Sequence, residues 1–166
     1  YNYVDNRKWA KKKEICDVKY LGSYDERILD LLKLSKILDT FNATYQFVIS
    51  GKKSWKKQVL FKNNKNFAFR TKRIQHQDLS DFYSDTKVIL DLLRKNQSGL
   101  SFRVFEAMAM EKKLITNNQK IKHYDFYNPN NILVLNEDFS TISKEFFSLP
   151  YQKIPTGIYA KYTLET

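Results

Sequence analysis

The feature that most constrains this chain is the repeated change of its hydrophobic period. Short apolar runs of strand length alternate with stretches whose apolar residues recur at helical spacing. Val18-Lys19-Tyr20-Leu21 reads as a strand closed by Gly22-Ser23. Over 26–40, Ile28, Leu31, Leu32, Leu34, Ile37 and Leu38 mark one helical face, with Asp25 placed to cap or favourably charge its start. Tyr45-Gln46-Phe47-Val48-Ile49 is a second strand, and a short helix is expected over 55–61. Phe67-Ala68-Phe69, Lys87-Val88-Ile89-Leu90-Asp91, Leu114-Ile115-Thr116 and Ile132-Leu133-Val134-Leu135 complete the strands. Helices are expected over 78–84, 101–110 and 140–148, with a last one starting at Gly157. Alternation of this kind predicts an α/β domain, a doubly wound parallel sheet covered by helices on both faces. Such sheets bind ligands beyond the carboxyl ends of their strands, where strand order reverses, so the loops 22–27, 51–53, 72–77 and 97–101 are the ones to inspect.

With 166 residues the chain fits one domain spanning 1–166. A single cysteine, Cys16, allows no internal disulfide and fits a reducing, cytoplasmic setting. The start at Tyr1 and the stop at Thr166, inside a helix-prone stretch, point to a piece of a longer protein. The net charge of +11 fits a nucleic acid, an anionic membrane surface or a phosphorylated ligand. It also fits plain Lys- and Asn-rich composition. Its distribution is more telling, because 40–77 holds no acidic residue while Lys52, Lys53, Lys56, Lys57, Lys62, Lys65, Arg70, Lys72 and Arg73 fall there. These cations are clustered rather than interleaved with aromatics, which argues against a nucleic-acid platform.

The candidate site is Gln97-Ser98-Gly99-Leu100-Ser101, between a strand and the helix over 101–110. The first amides of a helix lack intrahelical partners and carry partial positive charge, and Gly99 lets the backbone approach a phosphate. An ordinary capped helix has the same sequence signature. Arg103 and Glu106, three apart, can pair on the helix surface, or serve the phosphates and the ribose or sugar. Phe102, Phe105, Met108 and Ala109 are expected in the core.

Phe105-Glu106-Ala107-Met108-Ala109, followed by Lys113-Leu114-Ile115-Thr116-Asn117, resembles the carboxyl-terminal signature of GT-B glycosyltransferases of the bacterial lipopolysaccharide and surface-polysaccharide type. Tyr20-Leu21-Gly22-Ser23-Tyr24 and Phe47-Val48-Ile49-Ser50-Gly51 resemble the family's first two strand ends. The resemblance implies the Rossmann-like, C-terminal half of a GT-B fold, with an acceptor domain elsewhere. It implies a nucleotide-sugar donor as substrate and no separate cofactor or metal. The acceptor is then a saccharide or lipid-linked one that meets the other domain. The catalytic base is expected there too, so the isolated domain should turn over poorly. Glu106 is implied at the ribose or sugar, with Gln97 beside it. Gly22, Ser23, Ser98, Gly99, Leu100 and Arg103 are implied at the diphosphate, with Arg27 and Lys52 as phosphate cations or solvated helix charges. Two departures stand out: Ser98 replaces the acidic residue many members carry eight positions before that glutamate, and Glu111 replaces a glycine. A peripheral position on the inner membrane face accompanies this reading.

Other residues carry less. His76 and His123 have no ligand cluster around them in sequence. Tyr124, Phe126 and Tyr127 can stack on a base, although packing accounts for them, and neither Gly22 nor Gly51 opens a Walker loop.

Overall fold

The computed structural model describes residues 12–51, 58–61 and 63–163. Six strands, β1 (Cys16–Ser23), β2 (Tyr45–Ser50), β3 (Phe67–Arg70), β4 (Thr86–Asp91), β5 (Lys113–Thr116) and β6 (Ile132–Val134), form one sheet in the order β3-β2-β1-β4-β5-β6. Every neighbouring pair is parallel. The helices are α1 (Ile28–Thr40), α2 (Leu79–Tyr83), α3 (Phe102–Ala109), α4 (Lys144–Ser148) and α5 (Thr156–Ala160).

The strands read as nearly continuous apolar runs because both faces are covered. Alternation along each strand divides the core. Val18, Tyr20, Phe47, Ile49, Val88, Leu90 and Ile115 pack with Leu31, Leu34 and Leu38 of α1 and Phe146 of α4. Leu21, Val48, Ile89, Leu114 and Ile132 face the other way, against Leu79 and Tyr83 of α2 and Val104, Phe105 and Met108 of α3. The two-sided parallel sheet expected from the sequence is therefore present.

Local signals set the helix ends. Both α1 and α3 finish in a Schellman arrangement. Ala43 N–H donates to the Leu38 carbonyl at 3.1 Å, and Lys112 N–H to the Ala107 carbonyl at 2.9 Å. Such an end needs a left-handed residue just past the cap. Asn42 fills it at φ 53°, and Glu111 fills it at φ 52°. Asparagine tolerates that conformation, whereas a glutamate is strained in it.

Two expectations, on Phe102 and on 55–61, need correction. Phe102 is 59% exposed, because it lies opposite the face of α3 that carries Val104, Ala107 and Met108. Between β5 and β6 the chain also forms a 3-10 turn, Gln119–His123, with Asn118 as its N-cap and Ile121 buried. The short helix expected over 55–61 is a 3-10 turn at Gln58–Phe61, with 52–57 outside the described residues. No helix among the described residues is long and apolar enough to cross a membrane.

Candidate functional site

Strand order reverses between β1 and β4, so their carboxyl ends, Ser23 and Asp91, open the crevice where such a sheet receives a ligand. The loop leaving β1 enters α1, and the loop leaving β4 enters α3. The two are tied by charge. Arg27 chelates Asp25 through Nε and Nη2 at 2.7 and 2.6 Å, and its Nη1 donates to the Leu92 carbonyl at 3.0 Å. Arg94, on the β4 side, brings its Nε within 3.2 Å of the same carboxylate. Burial alone would raise the Asp25 carboxyl, but the Arg27 hydrogen bonds and the nearby arginine charges hold it below the ordinary carboxylate range. Arg27 is thus neither a solvated helix charge nor a free cation.

The amino end of α3 faces this cluster from the β4 side of the crevice. Ser101 is the N-cap, its Oγ accepting from Arg103 N–H at 3.2 Å. Gln97, Ser98 and Gly99 are exposed, and Leu100 is half-buried. No described atom lies within 4 Å of where a Cβ at Gly99 would stand, so the chain's own packing does not require a glycine there. Gly22 is the opposite case. A Cβ there would stand 2.1 Å from the Tyr20 phenol oxygen, so its open side is filled from within.

Residues following β5 hold the α3 loop in place. Asn117 Oδ1 accepts from Leu93 N–H at 2.8 Å, and Asn118 Nδ2 donates to the Gly99 carbonyl at 3.2 Å. The sequence shows this pair only as a turn. Its position at the carboxyl end of the strand beside β4 is the signal that marks it.

Beneath the loop lies a buried polar nest. Arg103 Nη1 donates to Glu106 Oε2 at 2.6 Å, and its guanidinium stands 5.6 Å from the Tyr83 ring centroid. Asp91 accepts from Thr116 Oγ1 at 3.3 Å. Its burial raises the carboxyl above its usual range, against the pull of Ser101, Arg103 and Thr116. Tyr20 Oη and Tyr83 Oη are buried without a hydrogen-bond partner among the described residues. Burial raises both phenols, Tyr20 to about 12. The structure therefore groups Gly22, Ser23 and Arg27 on one side of the crevice and Gln97 to Arg103 on the other. Glu106 sits one helical turn inside, paired rather than projecting, and Lys52 lies outside the described residues.

Other features stand apart. A cavity of about 310 Å³ between Met108, Glu111, Tyr151 and Tyr159 is at the carboxyl end of α3, away from the switch point. Phe126 packs edge-on against Tyr162 at 4.9 Å, which accounts for its burial without a base. Among the described residues no group of three or more His, Cys, Asp or Glu side chains could hold a metal ion.

Comparison with known proteins adds to this geometry. The sequence profile described as glycosyl transferase-like matches residues 27–148. No curated protein sequence matches the chain. Among solved structures, the chain is similar to the C-terminal domain of LpcC, a glycosyl transferase group 1 family protein from Francisella tularensis. The TM-score is 0.61 at 13% identity, over 92% of this chain and 89% of that one. It is also similar to AviGT4, a glycosyltransferase involved in avilamycin A biosynthesis, with TM-score 0.64 at 10% identity. That match covers 97% of this chain and 52% of AviGT4, so the chain spans about half of its length. At these identities the likeness is one of fold.

Proposed function

Because the chain belongs to the glycosyl transferase-like family, we propose that its switch-point crevice binds the nucleotide-sugar donor of a glycosyl transfer. One observation carries the reading: the Asp25–Arg27–Arg94 cluster ties the two loops of the crevice, and the amino end of α3 follows the loop on its β4 side. Two guanidiniums against one carboxylate leave a net positive charge, and a helix start adds more. That is what a diphosphate leaving group needs as the sugar departs, and it supplies electrostatic stabilisation without a metal. Gly22, Ser23, Ser98, Gly99, Leu100 and Arg103 border or underlie the phosphates in this proposal, with Lys52 as a further phosphate cation. Glu106 and Gln97 serve the ribose and sugar. To accept ribose hydroxyls, Glu106 must share its carboxylate with Arg103, which meets it at Oε2.

The acceptor, a saccharide or lipid-linked one, is proposed to approach through another domain that also carries the base, so this domain alone turns over slowly. A role in bacterial surface polysaccharide synthesis, at the inner face of the membrane, completes the proposal. Thermal shift with UDP, GDP, ADP, CDP and short oligonucleotides tests it. One nucleoside diphosphate should raise the midpoint. Stabilisation by oligonucleotides alone, lost at moderate salt, overturns it.

A further inference from the structure

Arg27 and Arg94 meet the same carboxylate in different ways. Arg27 uses Nε, Nη2 and Nη1, holds Asp25 from both edges and reaches Leu92; its side chain is only 12% exposed. Moving it toward a ligand would unpick the tie between the two loops. Arg94 touches Asp25 through Nε alone at 3.2 Å, an ion contact without a directed hydrogen bond, and its side chain is 54% exposed. Among the described residues its two Nη groups make no hydrogen bond and no further ion pair. A guanidinium fork of this kind matches two phosphate oxygens at once.

Other cations at the crevice are less suited. Arg103 is paired with Glu106 and largely buried. Lys95, next to Arg94, is exposed and offers a point charge with no hydrogen bond or ion pair among the described residues. The crevice floor meanwhile holds an orphaned donor. Tyr20 Oη is buried, has no hydrogen-bond partner among the described residues and lies against Gly22 at the carboxyl end of β1, under the Arg27 guanidinium.

We infer that Arg94 is the side chain that grips the donor's diphosphate, while Arg27 remains the fixed counter-ion of Asp25. This rests on the donor-binding reading and assigns the anion contact within it. Asp25 releases Arg94 without being left unpaired, because both of its oxygens stay on Arg27. Arg94 is thereby pre-positioned by a contact weak enough to exchange for phosphate.

The test uses the whole chain, titrated with inorganic pyrophosphate and with each of UDP, GDP, ADP and CDP and their parent nucleosides. Arg94→Ala should weaken diphosphate and pyrophosphate binding by roughly ten-fold or more, with the unliganded melting midpoint and nucleoside binding unchanged. Arg94→Lys should recover only part of the loss, since an ammonium cannot fork. Lys95→Ala, which removes the same charge one residue away, should stay within about two-fold. Arg27→Lys should instead lower the unliganded midpoint. Arg94→Ala binding as tightly as the unchanged chain overturns this assignment alone, as does an equal loss in Lys95→Ala. An unchanged chain that binds neither pyrophosphate nor any nucleoside diphosphate overturns the donor reading and this assignment with it.

Discussion

Arg103 and Glu106 face each other one turn apart on α3, Nη1 to Oε2 at 2.6 Å, with Arg103 lying over the Tyr83 ring. The Glu106 side chain is only 10% exposed and that of Arg103 23%, so each ion depends on the other for its place in the core. Removing one partner leaves a poorly solvated charge. Glu106→Ala is expected to cost about 2 kcal/mol in stability, and Glu106→Gln clearly less, because the amide oxygen still accepts from the guanidinium. Urea unfolding measures both. If the donor-binding proposal holds, nucleoside diphosphate affinity should fall in each variant, and a Glu106→Gln chain with full affinity would remove Glu106 from the proposed site.

Glu111 occupies the left-handed position that ends α3, at φ 52°. Glycine adopts this conformation without penalty, so Glu111→Gly should stabilise the chain by about 1 kcal/mol. The melting midpoint should rise by roughly 2–4 °C. Glu111→Ala keeps the strain and should show no such gain.

Asp91 makes an opposite contribution to pH stability from Asp25. Burial raises the Asp91 carboxyl in the folded chain, so the fold holds this proton more tightly than the unfolded chain does. The corresponding stabilisation is complete below the unfolded value of about 3.9 and is lost as pH rises through the folded value. Asp25, held low by Arg27, contributes stability above its unfolded value and loses it as pH falls. Asp91→Asn isolates the first effect. It should melt higher than the unchanged chain at pH 7, and the gap should close in acid. A gap that widened in acid would contradict the assigned direction.

Asn117 holds the start of the α3 loop through its Oδ1 on Leu93 N–H. Asn117→Ala should cost about 1 kcal/mol and speed hydrogen exchange at the Leu93 amide. Asn117→Asp keeps an acceptor there and should protect that amide.

Much of this was legible from residue order. Val18, Tyr20, Phe47, Val88 and Ile115 signal strands because parallel strands covered on both faces need apolar side chains in both directions. The switch-point loops follow from the same alternation. What stayed hidden depends on tertiary neighbours. Nothing local shows that Arg27 is locked by Asp25 and Leu92 while Arg94 is not, since both are arginines in polar loops. Lys113 is similar. Its position in a strand would suit a solvated charge, yet it is 3% exposed, with Nζ donating to the Phe146 carbonyl at 2.6 Å and the Leu149 carbonyl at 2.9 Å at the end of α4. Phe102 fits the apolar count of its helix and misleads for that reason, because counting residues does not fix which way the first turn points.

The pairing of β1 with β4 joins residues far apart in sequence, as Val18 with Val88 shows. One half of the sheet, β1 to β3, can assemble before Thr86–Asp91 exists as a strand, leaving one edge of β1 open until then. The crevice is the seam where the halves join, so it exists only once that long-range pairing is made. An anion bound across the seam stabilises the closed sheet over any state with the halves apart. If the crevice binds the proposed donor, ligand occupancy and completion of the sheet share one equilibrium.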